Sequence, residues 1–479
     1  MKPFRHIATN ELQMLLRNPF QLVALFLFGL LGLYSIYYGH TEIGRQTERI
    51  LQVEDSVRTA QSSYRNFVQA DTTTSEGKEN YDRAASPSLI RFRYNFLVAN
   101  KPSPLAELSI GQRDLYPYYF ILNAQNLYTQ TLKGEIYNPF KLSAGNFDLS
   151  FVLIYLLPLL ITGLCFDALS FERDIGTFDM LRTGHISIRS IFVYRLLFRY
   201  VLIGSAATVL SAIGFLVSGI DSGLYMFLWL LVLWLYSALW FAIILFISSF
   251  NRSSSFNATA AVGAWILLLM AIPSMLNLYG LKSKETNAFP LASLMRSRTM
   301  PETDSAMNAA LRTFYIYHPE LKPQNRERRS PFFYYQGYSA FLAIDQAESA
   351  KKIDEFYRLV EVSEAKRGLL NFVNPAVATQ EILNGLASTN LKAELDFKTA
   401  VKNFYDRIFW FSNRVLFEDR LMTAEDYDQS PQFMFTPNGL SGKNLAIGLV
   451  QLVLLALILA TSGYRNLNDK NLTNERSGG

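Results

Sequence analysis

The sequence predicts an all-α polytopic membrane protein with six transmembrane helices and two mainly helical extracytoplasmic regions. Three observations predict this. Six apolar stretches each approach the roughly 20 residues that a helix needs to cross ~30 Å of hydrocarbon. They carry few or no ionisable side chains. Their spacing is uneven, with long polar regions after the first and fifth and short connections elsewhere. Of the 479 residues 50% are hydrophobic, yet 18% are charged, so aqueous regions of some size stand beside the apolar core.

Residues 1–19 read as a cytoplasmic elbow helix. Ile7, Leu12 and Leu15 or Leu16 give it an apolar side, with Glu11 and Arg17 as its charged candidates for a functional contact. Asn18-Pro19 ends it, because proline disfavours helical geometry in the residue before it. The first span, 20–39, is too long for a cleaved signal peptide and has no small-x-small exit, so it is expected to stay as a signal anchor.

The first extracytoplasmic region, 40–148, opens with a helical pattern at Ile43, Ile50, Val53, Val57 and Tyr64. A polar loop is expected around Asp71–Asp82, then short extended or turning segments bounded by Pro102, Pro104 and Pro117. Span two covers 149–167, with a kink expected at Pro158. The loop 168–199 follows, then spans at 200–220, 224–249 and 256–279, the last with a kink expected at Pro273. The second extracytoplasmic region, 280–443, holds a solvated basic stretch near Leu321–Pro331. It also holds a helix capped by Asn374-Pro375 and a long amphipathic helix with Leu391, Leu395, Val401, Phe404, Ile408, Phe411 and Val415 on one face. Span six is 444–463, and 464–479 is a cytoplasmic tail.

Orientation follows from the basic residues of the short loops. Lys2, Arg5 and Arg17 precede span one, five arginines lie between spans two and three, Arg252 lies between four and five, and Arg465, Lys470 and Arg476 follow span six. The tight Gly219–Gly223 connection has none. Both termini are therefore expected in the cytoplasm of a bacterial inner membrane.

Several function classes fall away. A net charge of +5 with no lysine–arginine cluster gives no nucleic-acid site. One cysteine, Cys165, allows no intrachain disulfide, and the four histidines have no metal-ligand spacing. No nucleophile-elbow pattern occurs in either polar region. A proton-coupled carrier would need acidic or histidine relays within the spans.

The loop after span two is the most informative stretch. In FDALSFERDIGTFDMLRTGHISIR, Phe171, Ile175, Phe178 and Leu181 share one helical face while Glu172, Arg173, Asp174 and Asp179 point elsewhere. Thr177 is placed to cap a second short helix. Such a mixed-charge element suits a protein docking site, and equally an interfacial loop held by snorkelling arginines.

The order elbow, span, large region, span, ERDIGTFDMLRTGHISIR, span resembles the permease subunits of ABC-2 type transporters. It is similar to the branch with enlarged external regions, through LAELSIGQRDLYPYY from Leu105, NPFKLSAGNFDLSFVLIYLLPLLI from Asn138 and NPAVATQEILNGLASTNLKAELDFKTAVKNFYDRI from Asn374. The resemblance implies that Glu172, Arg173, Gly176 and Thr177 match a Glu-Arg-x-x-Gly-Thr coupling motif, with Asp174 and Arg182 beside it. Where the family often has Pro-Val-Ser-Arg, this chain has His185-Ile186-Ser187-Ile188-Arg189, without the proline.

The resemblance further implies a dimerising exporter half that docks a separate cytoplasmic ATPase. The chain has no GxxxxGK followed by Ser or Thr, so ATP and Mg would be bound by that partner and no cofactor by this chain. The second permease chain is expected to be identical or paralogous. Asn257, Ser274 and Asn277 of span five are the polar candidates for a pathway, with interhelical hydrogen bonding as their plainer role. A reading of another class is a mechanical coupler that passes ATPase motion to a periplasmic or outer-membrane partner without moving cargo.

Overall fold

The structure is a computed structural model that describes residues 2–131, 146–174, 176, 187–275, 303–323, 330–371 and 374–467. Among them the chain is mainly helical. A bundle of apolar helices carries a polar head at one end and the N-terminal helix at the other, here called the base.

Helix α1, Lys2–Arg17, stops where Asn18 takes extended geometry. Its side chain accepts from the Phe20 and Gln21 amides and caps α2, with Pro19 in the first helical turn where no amide is needed. Helix α2 then runs from Pro19 to Phe67, 49 residues or about 73 Å at 1.5 Å per residue. The first span and the helical pattern beyond it are thus one rod, with no break at His40. Leaving ~30 Å for a bilayer, some 40 Å of α2 stands in the head.

The head begins with α3, Ser75–Ala85, which corrects the expected Asp71–Asp82 loop: Thr74 caps a helix there through the Gly77 amide. Helix α4, Pro87–Arg93, leads into β1, Phe96–Ala99, which pairs antiparallel with β2, Tyr119–Leu122. Helix α5 is Leu127–Thr131.

Helix α6, Leu149–Cys165, is the second apolar stretch. Asp148 caps it, accepting from the Phe151 amide at 2.8 Å, the Ser150 hydroxyl at 2.7 Å and the Ile110 amide at 2.8 Å. Its residues Val152–Leu156 form a π-helical turn just ahead of Pro158. Proline cannot donate to the Ile154 carbonyl four residues back. The Tyr236 hydroxyl donates to that oxygen instead at 2.9 Å, and Trp265 Nε1 donates to the Tyr155 carbonyl at 2.9 Å. In an apolar surround a released carbonyl needs such a partner, and here two neighbouring helices donate to the π-helical turn ahead of Pro158.

The remaining bundle helices are α7, Ile188–Ser218, α8, Gly223–Ser248, and α9, Ser254–Met275. Helix α7 begins twelve residues ahead of the expected span, so Arg189, Arg195 and Arg199 lie on a helix rather than in a loop. In the head, α10 is Asp304–Tyr317, α11 Phe333–Asn371, α12 Pro375–Leu386, α13 Leu391–Phe417 and α14 Ala424–Asp428. Helix α15, Gly442–Asn466, returns to the base, closely packed on α8.

Helices α2, α7, α8, α9 and α15 are long and apolar enough to cross a membrane; α6, with 17 residues, is shorter. This composition is that of a multi-pass membrane protein. The expected end of span five beyond Met275 lies outside the described residues.

The two polar regions share one core. Ile90, Tyr94, Phe96 and Leu122 from the first pack with Phe397, Phe404, Ile408 and Tyr427 from the second. Tyr94 sits at the centre, 5.1 Å from the rings of Phe96 and Phe411 and 5.4 Å from Tyr427. The far end of α2 is tied to this head by Arg65, which donates from two nitrogens to Asp428 at 2.5 and 3.1 Å.

Candidate functional site

Spacing alone puts Arg195 and Arg199 on one face of α7, one turn apart. That face meets α1 and the end of α6 at the base. Glu11 of α1 reaches between the two arginines: it is 3.1 Å from Arg195 Nε and 2.9 Å from Arg199 Nη2 and Nε. Arg195 also pairs with Glu172 and donates to the Ala168 carbonyl at 3.1 Å. Arg199 donates to the Leu164 carbonyl and lies 3.5 Å from Asp167. The Leu164 carbonyl belongs to the last turn of α6, which lacks helical partners and favours cations, and the Ala168 carbonyl to the turn that follows.

Three carboxylates and two guanidinium groups thus form one network. Glu11 is 3% exposed, Glu172 7% and Arg199 9%, so little of it is screened by water. The network joins the N-terminal helix, α6, the turn after α6 and α7.

The turn itself, Phe171–Asp174, is stapled to the start of α9. Arg173 donates from Nη1 to the Asn251 carbonyl at 2.8 Å. The Ser254 hydroxyl donates to Asp174, and the hydroxyls of Ser170 and Ser254 are 2.6 Å apart. Asn257 Nδ2 donates to the Phe166 carbonyl at 3.3 Å. Gly176 closes the turn with φ of 78°, a left-handed value that glycine takes without strain.

These positions revise the expected roles. Glu172, expected as a docking contact, is enclosed by Arg195; on this turn Phe171, Asp174 and Gly176 face solvent. Asn257, a pathway candidate, is 1% exposed and serves the interhelical bond, its plainer role. Ser274 is exposed on α9, the least buried of the long apolar helices. Arg17 is exposed at the end of α1, while Glu11 on the same helix is buried. Thr177, Arg182 and Asn277 lie outside the described residues.

Arg195 and Arg199, expected in the loop before span three, are the partners of Glu11 and Glu172, and the sequence alone does not give that pairing. The available signal was the pair of arginines one helical turn apart beside a long apolar run. A further lock at the base was also missed: the Arg189 guanidinium lies 3.7 Å over the Tyr464 ring and donates to its carbonyl, joining α7 to α15.

No group of three or more histidine, cysteine, aspartate or glutamate side chains among the described residues is arranged to hold a metal ion. Residues 292–436 match a family model described as Domain of unknown function (DUF3526), and this stretch falls within the second polar region, from before α10 to after α14. No curated protein and no solved structure matches the chain.

Proposed function

We propose that this chain is the permease subunit of an ATP-driven ABC-2 type exporter, working with a second permease chain and a separate cytoplasmic ATPase. The observation that carries the reading is the meeting of Glu11 and Glu172 on Arg195 and Arg199. The resemblance assigns the elbow helix and the Glu-Arg-x-x-Gly-Thr turn to the ATPase interface, and here both act on one helix through buried ion pairs. Force applied to either element is delivered to α7 as rigid-body movement, since packed, desolvated contacts switch between arrangements rather than deform.

In this reading Phe171, Asp174 and Gly176 form the contact surface and Glu172 is a positioning residue. The chain is not itself an enzyme: the partner ATPase binds ATP and Mg, and the base of α6–α7 receives its motion. The test is co-expression with the ATPase and reconstitution in vesicles. Phe171→Ala with Asp174→Ala should weaken ATPase binding, whereas Glu172→Gln should leave binding intact and lower permease-stimulated hydrolysis. Unchanged binding and hydrolysis in both variants refute the docking assignment.

The coupler reading draws on a separate observation, the unbroken α2. A rod held at the base by the α1 packing and in the head by Arg65–Asp428 carries a tilt to a point some 40 Å beyond the bilayer. ATP-dependent flux of lipid or amphiphile in vesicles supports export. Absent flux, with a stable partner bound to the head, supports the coupler.

A further inference from the structure

A recess in the head lies between β2, α5, α11 and α13 and opens to solvent. Its floor is apolar: Phe120, Leu127, Ile353 and Val401. Phe120 is fixed there by stacking on Phe397 with centroids 6.2 Å apart.

One polar group in its wall is unsatisfied. Tyr128 is 5% exposed, and its hydroxyl is buried with no hydrogen-bond partner among the described residues. Burial raises this phenol, and Asp354 and Tyr357, both lining the recess, are the next contributors. The hydroxyl therefore stays protonated and is a donor without an acceptor. A buried donor of this kind is costly unless something completes it.

The rim carries Asp354, Lys398 and Lys402, and each lysine has a carboxylate beside it. Lys402 donates to Asp354 at 2.6 and 2.8 Å, and Lys398 lies 4.0 Å from Glu394 with its ammonium 5.3 Å from the Tyr357 ring. With Lys402 paired to Asp354 in the rim and Lys398 to Glu394 just outside it, the recess favours neither a bare anion nor a bare cation. Such paired charges complement a neutral or dipolar headgroup.

We infer that this recess binds a single-chain amphiphile, neutral or zwitterionic, whose apolar chain lies on the Phe120–Val401 floor and whose carbonyl accepts from Tyr128. The site sits on the head, away from the charge network at the base, and does not depend on whether cargo crosses the bilayer.

The test uses the full chain in nanodiscs of zwitterionic lipid and a photoreactive octanoyl amide with a diazirine at the chain end. Mass spectrometry locates the label, and plain octanamide competes. Saturable, competable labelling is expected on peptides containing 127–131, 353–357 and 398–402. Thr399→Trp places an indole in the mouth from an exposed position and should abolish it. Tyr128→Phe should weaken half-saturation roughly three- to tenfold, the worth of one neutral hydrogen bond, with thermal stability unchanged or raised. Labelling that is non-saturable, or unchanged in both variants, overturns the proposal. So does loss of stability in Tyr128→Phe with labelling intact, since the hydroxyl would then serve the fold.

Discussion

Glu11→Ala removes the centre of the base network and isolates the energy it holds. The carboxylate is 3% exposed and touches both Arg195 and Arg199 at about hydrogen-bond distance. Removing one partner of a buried ion pair generally costs ~3–5 kcal/mol, because the remaining charge stays desolvated. Here each arginine keeps another carboxylate and a backbone carbonyl: Arg195 has Glu172 and Ala168, and Arg199 has Asp167 and Leu164. The expected loss is therefore at the lower end, about 3 kcal/mol. Arg17→Ala, on the same helix but exposed, should change stability by no more than about 0.5 kcal/mol.

The assay is reversible unfolding in mixed micelles by SDS titration, followed by circular dichroism. Adding Arg199→Met to Glu11→Ala should recover part of the loss, since an apolar side chain in that space carries no unpaired charge. The cycle of single and double variants then gives a coupling energy of the sign of an attraction. A Glu11→Ala protein within about 0.5 kcal/mol of the parent, or singles and double that simply add, would refute the reasoning. A network worth so little could not transmit a movement either.

Three further outcomes follow from the geometry. Tyr236→Phe leaves the Ile154 carbonyl without its donor beside Pro158 and should cost ~1–2 kcal/mol in the same titration, whereas Tyr317→Phe, at an exposed site, should be neutral. Gly39→Ala puts a Cβ 1.8 Å from the Glu107 carbonyl oxygen, a backbone atom that must move, so the α2–head junction should show faster amide exchange at 104–111 and lower stability. Asp426 is raised by burial but, on balance, held below the ordinary aspartate range by hydrogen bonds from Arg420 and Thr423. Its contribution is full above pH ~4 and is lost as pH falls below that, so amide protection in 418–428, corrected for the intrinsic exchange rate, should fall on acidification and stay constant from pH 6 to 8, the change being less than about 1 kcal/mol because Arg420 is partly exposed.

What the sequence by itself determined is what local pattern can determine. Long uncharged runs dictate apolar helices, because in hydrocarbon the backbone satisfies itself only that way, and the structure has long apolar helices, α2, α7, α8, α9 and α15, at five of these runs. Asn18-Pro19 marked the end of the elbow helix and Asn374-Pro375 a helix start, and the structure has both, since proline and capping chemistry act within a turn. The apolar face of α13 was legible too, with Val401, Phe404, Ile408 and Val415 buried as spaced. Ends were less legible: nothing local at His40 or Arg195 distinguishes a helix leaving the bilayer from a loop.

Tertiary structure alone decided which charges meet. Glu11 and Arg199 are 188 residues apart, and the pairing exists only because α1 folds back on α7. The same holds for the shared core of the head, where residues near 94 and near 411 lie in one aromatic cluster. The physical reason is range. Helix formation and capping depend on neighbours within a turn, whereas desolvated ion pairs and ring contacts depend on where the whole chain brings distant faces together.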